Sequence, residues 1–141
     1  MYDVNRFVKA QDNVYENVIN ELKKGRKRTH WMWFIFPQLK GLGFSDIAVY
    51  YGIENIDEAK EYINNEVLYR RYIECCNILL ELDDDDIYNI LGDIDGLKLK
   101  SSLTLFSFVD VNNKELFFKL LDKYYDGEKW LKTLKLLAQN N

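Results

Sequence analysis

Histidine, proline and cysteine are scarce in this chain of 141 residues, which has one His, one Pro and two Cys. Cys75 and Cys76 are adjacent, which excludes a disulfide framework and the spaced pairs of a structural zinc site. A single histidine, His30, excludes a multi-histidine metal centre. Neither a metal nor a cofactor is expected. Long apolar runs are lacking too. The longest, Trp31 to Pro37, is about seven residues, far short of the roughly 20 that a membrane-spanning helix needs. The opening Met1-Tyr-Asp-Val-Asn-Arg6 has no basic lead followed by an apolar stretch, so no secretory signal is read there. Repeats, linkers and low-complexity tracts are also missing. The expectation is a reduced, cytoplasmic protein with no membrane partner, and residues 1–141 as a single domain large enough for a core without disulfides.

Apolar residues make up 48% of the chain and aromatics 15%, which places it well clear of disorder. Net charge is −4, but Lys23, Lys24, Arg26, Lys27 and Arg28 put five cations into six positions, leaving −9 for the rest. An anion site is therefore local, and a long polyanion is repelled by the remainder.

Apolar periodicity predicts a mainly α-helical fold. Residues 5 to 24 place Phe7, Val8, Gln11, Val14, Tyr15, Val18, Ile19 and Leu22 at three- and four-residue steps, with Gly25 ending the helix in a left-handed turn. Ser45 caps a short helix that Gly52 stops. Asn55 and Glu58 have capping-box spacing, and a longer helix is expected from about Glu66 to Leu82. Asp83 to Asp86 read as a solvated turn with a cap, Asn112 and Glu115 repeat the capping-box spacing, and Asp126 is expected to start the last helix. Two segments fit less well. Trp31 to Phe36 is solidly apolar and too short to assign by period, and Leu97 to Phe108 reads equally as helix or strand. Both are taken as buried, the first as an aromatic segment crossing the helices.

The segment Gly25-Arg-Lys-Arg-Thr-His30-Trp-Met-Trp-Phe-Ile-Phe-Pro37-Gln-Leu-Lys-Gly41-Leu-Gly43 carries most of the available chemistry. His30 is the natural acid/base near neutrality, and the cations before it favour a neutral ring; the structural alternative is a hydrogen-bonded ring packed on Trp31. Arg26 and Arg28 share a side in extended spacing and can hold a phosphate or carboxylate, with Lys27 and Thr29 opposite. Trp31 is the ring offered for stacking, while Trp33 is read as core. Gln38 belongs to a shaped loop. Gln11, polar on an apolar stripe, either locks a core network or reads a ligand amide. Lys98, Ser101 and Ser102 form a second polar cluster, with helix-to-helix hydrogen bonding as the alternative use of the serines.

These same residues carry a resemblance. Arg6-Phe7-Val8, Gln11, Tyr15, Glu21-Leu22, the Gly25–Gly43 motif, Tyr51-Gly52-Ile53, Glu58-Ala59 and Lys98-Leu-Lys-Ser101-Ser102-Leu-Thr104-Leu-Phe106 closely resemble a widespread bacterial family of unknown function. Some of its members are mislabelled calpastatin. The resemblance spans essentially the whole chain and implies a mainly α-helical, single-domain cytosolic protein, but no activity. Leu103 stands where the family usually has Met, a swap of similar volume.

The leading functional expectation is a site for a small anionic ligand, such as a nucleotide or an ADP-ribose-like metabolite. Gln11, Arg26, Arg28, Trp31, Gln38, Lys98, Ser101 and Ser102 would bind, and His30 would serve as acid/base if there is a reaction. The alternatives are a non-catalytic nucleic-acid-binding module and a protein-interaction module.

Overall fold

A computed structural model describes residues 2–139. Among these residues the chain is mainly α-helical, as expected, with ten helices. In order they are α1 (Asn5–Asp12), α2 (Tyr15–Lys23), α3 (Met32–Ile35), α4 (Asp46–Tyr51), α5 (Ile56–Asn64), α6 (Glu66–Glu81), α7 (Ile87–Leu91), α8 (Asp93–Val109), α9 (Lys114–Tyr125) and α10 (Leu131–Gln139).

α8 runs through the centre, with α5, α7, α9 and α10 packed on it. Leu99, Leu103, Leu105 and Phe106 are buried along it, but so are Ser101, Ser102 and Thr104. A helix covered on nearly every side has no polar face, which is why Leu97 to Phe108 shows no helical period. Around Tyr72 of α6 the rings of Phe36, Phe106 and Phe117 close in at 5.4, 4.7 and 5.7 Å between centroids. The aromatic segment is thus buried among the helices, and it contributes Phe36 to this cluster.

Capping residues mark several boundaries. Ser45 accepts from the Ala48 amide, Asn55 from that of Glu58, and Asp86 from those of Tyr88 and Asn89. At Gly25, which has φ +70°, the Gly25 amide donates to the Leu22 carbonyl and the Arg26 amide to the Glu21 carbonyl, closing α2 in a Schellman turn.

Three boundaries differ from expectation. The first helix breaks between Asp12 and Tyr15, where Val14 leaves helical geometry at φ −125° and its amide turns back to the Gln11 carbonyl. Before α9 the side-chain acceptor is Asp110, which takes the Asn112 and Asn113 amides, rather than Asn112. Asp126 ends α9 in the left-handed region at φ 55° instead of starting the last helix, which begins at Leu131.

Within Trp31 to Phe36, Met32–Ile35 forms a single helical turn, α3, before Pro37. The chain then pairs with the segment after α4: the Ile53 amide donates to the Gln38 carbonyl and the Lys40 amide to the Ile53 carbonyl. This short parallel bridge between Leu39 and Ile53 fixes the loop carrying Gln38. Gly52 permits the approach, since a Cβ there would lie 2.9 Å from Lys40 Cα.

Candidate functional site

The basic segment is organised by a carboxylate. Glu21, on the apolar side of α2 beside Val18 and Leu22, is buried and accepts from four donors. Its Oε1 takes the Arg28 amide at 2.6 Å, the Thr29 amide at 3.0 Å and Trp31 Nε1–H at 3.0 Å. Its Oε2 takes the Thr29 hydroxyl at 2.6 Å. Burial by itself would raise the Glu21 pKa, but the Thr29, Arg28 and Trp31 donors outweigh it and lower the value to about 2. The loop from Arg26 to Trp31 is therefore wrapped around a fixed negative charge.

That wrapping sends alternate side chains in opposite directions. Arg26 and Arg28 are exposed on one side, where Asp83 and Asp84 face them across a shallow cleft of about 550 Å³. Lys27 turns inward. Its Nζ lies 2.9 Å from Asp95 Oδ2 and 5.1 Å from the centre of the Trp31 ring. His30 is exposed and belongs to none of the clefts described here.

The two tryptophans of the motif differ in burial. Trp31, only 1% exposed, is core. Trp33 is half-buried and lines a second cleft of about 350 Å³ with Trp130. Lys98 of α8, Lys132 of α10, Gln38 and Ser45 are the polar side chains lining that cleft, and Ile94 and Leu97 add apolar wall. Lys98 Nζ stands 4.7 Å from the centre of the Trp33 ring, and 3.3 Å from Asp95 Oδ1 one turn earlier in α8. The elements meeting at this cleft are α3, the Gln38 loop, α4, α8 and the start of α10. Two rings, two ammonium groups and an amide thus converge on a concave surface.

The other expected site residues lie elsewhere. Gln11 is buried, donating to the Phe34 carbonyl at 2.6 Å and the Tyr62 hydroxyl at 3.1 Å while accepting from Arg71 at 3.3 Å. Ser101 shares a hydrogen bond of 2.8 Å with Thr133, and Ser102 one of 2.8 Å with Tyr72. Their polar atoms are satisfied inside the core, which joins α8 to α10 and to α6. Of the expected residues, the structure brings only Gln38 and Lys98 to the Trp33 cleft, and Arg26 and Arg28 to the other. Trp130 and Lys132 escaped sequence reasoning because they are far from the motif and carry no local signal.

Among the described residues no group of three or more His, Cys, Asp or Glu side chains could hold a metal ion, and no helix is long and apolar enough to cross a membrane.

A family model described as protein of unknown function (DUF1810) matches residues 1–137. The chain is a member of the DUF1810 family. A DUF1810 member is thus what the motif around His30-Trp31 pointed to. The crystal structure of the conserved hypothetical protein Rv1873 from Mycobacterium tuberculosis is similar at 46% identity, covers 97% of each chain and superposes with a TM-score of 0.94. A search of curated proteins finds no match.

Proposed function

We propose that this chain binds a small anionic metabolite carrying a flat aromatic ring, such as a nucleotide or an ADP-ribose-like compound, in the cleft between Trp33 and Trp130. The observation that supports this reading is the Lys98 ammonium group 4.7 Å over the Trp33 ring, with Lys132 and Gln38 lining the same cleft. An indole offers a stacking face worth about 1–3 kcal/mol per base. Lys98 and Lys132 supply point charges for the anion. Gln38 offers a donor and an acceptor for a ring edge. A cleft of about 350 Å³ suits a ligand of this size.

The reading is one of binding. His30 lies outside the lining of this cleft, so His30→Ala is expected to leave binding unchanged. Arg26 and Arg28 face Asp83 and Asp84, an arrangement that weakens rather than strengthens attraction for a polynucleotide.

Thermal denaturation against nucleotides, NAD, ADP-ribose, sugar phosphates and short oligonucleotides tests the reading. A ligand present at about 100 times its dissociation constant adds about 2.7 kcal/mol, enough to raise Tm by several degrees. The expected result is a shift with a ring-bearing small anion that Trp33→Ala and Lys98→Ala both abolish. A response to oligonucleotides alone, or a shift that both variants retain, would overturn it.

A further inference from the structure

We infer that Lys27 is a positioning residue that sets the charge of the Trp33–Trp130 cleft, and that the ligand class so selected bears a doubly charged phosphate, as a phosphomonoester or diphosphate. The inference rests on the binding proposed above and adds to it the nature of the anion.

Lys98 has a carboxylate on its own helix, since Asp95 Oδ1 lies 3.3 Å from its Nζ. Taken alone, that pair cancels the charge Lys98 would offer to a ligand. The other oxygen, Asp95 Oδ2, is held by Lys27 Nζ at the shorter distance of 2.9 Å. The Lys27 side chain is 8% exposed, against 22% for Lys98, so Lys27 is the partner shielded from water and Lys98 the one facing the cleft. Screening by solvent is weaker for the buried pair.

Lys27 is held by its surroundings. Its backbone amide donates to the Ile90 carbonyl at 2.7 Å, and its ammonium lies 5.1 Å from the Trp31 ring. Trp31 is in turn tied to Glu21. The basic motif thereby delivers one cation to Asp95 from a distant part of the chain.

Asp95 is thus already neutralised when a ligand arrives, and Lys98 can turn from it to an anion without stranding a bare carboxylate. Lys27, Lys98 and Lys132 set three ammonium groups against one carboxylate, leaving two positive charges at the cleft. A phosphomonoester carries a charge of about −1.5 to −2 at neutral pH and matches this, whereas a carboxylate supplies only one.

The test is calorimetric titration of adenosine 5′-monophosphate and adenosine into wild type, Lys27→Met and Lys27→Arg, with each fold checked by circular dichroism. Lys27→Met keeps the aliphatic stem near Trp31 and removes only the charge. The nucleotide is expected to bind wild type at least about tenfold tighter than the nucleoside. Lys27→Met should lose that advantage while keeping its affinity for adenosine, and Lys27→Arg should retain it. A merely structural lysine would lower affinity for both probes together, and that result overturns the inference. So does a Lys27→Met protein that still discriminates, which leaves the cleft reading intact. A wild type that binds both probes equally overturns the inference and, with it, the role of Lys98 and Lys132 as holders of an anion. A wild type that binds neither probe overturns the cleft reading itself, and the inference with it.

Discussion

Trp31 donates its indole Nε1–H to Glu21 Oε1 at 3.0 Å, and this bond divides the tryptophans of the motif between fold and site. Trp31 is locked inward with its polar atom satisfied. Trp33, on the single turn of α3, lines the cleft with Lys98 beside it, the ammonium 4.7 Å from the ring centre. Glu21→Ala removes the acceptor of two backbone amides, a hydroxyl and an indole at once. The expected loss is about 3 kcal/mol or more, read as a lower urea midpoint, because buried donors left unpaired carry their full desolvation cost.

Acid should act through the same carboxylate. The Glu21 pKa is lowered from 4.5 to about 2, so the unfolded chain takes up this proton more readily than the folded one. Its contribution is complete above pH 4.5 and disappears as the pH falls towards 2, amounting to on the order of 2–3 kcal/mol. Stability measured from pH 6 to pH 2 should fall through this window. Glu21→Gln should flatten the profile there.

The buried hydroxyl and amide groups are expected to affect stability alone. Ser101→Ala, Ser102→Ala and Gln11→Ala each remove a buried hydrogen-bond partner, from Thr133, Tyr72 and the Phe34 carbonyl respectively. Each should cost about 1–3 kcal/mol in chemical denaturation. The ligand response of the cleft should survive in all three.

Cys75 and Cys76 should be inert in the folded protein. Both are buried, and burial pushes the Cys75 thiol up to about 12 and the Cys76 thiol well above its ordinary range. The thiolate is the reactive form. A thiol-exchange reagent at pH 8 is expected to modify neither residue until denaturant is added, and then both.

Much of the fold is written locally. Ser45, Asn55 and Asp86 announce their helices because a short polar side chain before an apolar period satisfies open amides wherever the rest of the chain lies. Gly25 does the same for a helix end. The break at Val14 and the left-handed Asp126 carry no comparable local signal. The candidate site was less legible, for a geometric reason. Extended spacing places Arg26 and Arg28 together and Lys27 opposite, as found, but it cannot say that the inward side holds Asp95. Trp31 and Trp33 look alike in sequence. What separates them is Glu21, ten residues upstream, whose charge beside Val18 and Leu22 on an apolar stripe was the available sign of a buried acceptor. Trp130 and Lys132 join the cleft through the packing of α10 on α8, a contact no local pattern encodes.

The cleft is tested most directly by the indole N–H resonances of the three tryptophans in a nitrogen–proton correlation spectrum, recorded while adenosine 5′-monophosphate is added. Trp31→Phe, Trp33→Phe and Trp130→Phe assign the peaks. The Trp33 and Trp130 signals should move together with one dissociation constant, and the Trp31 signal, held by Glu21, should move least. Three stationary peaks, or a Trp31 peak moving more than that of Trp33, would contradict the assignment of this cleft as the binding site.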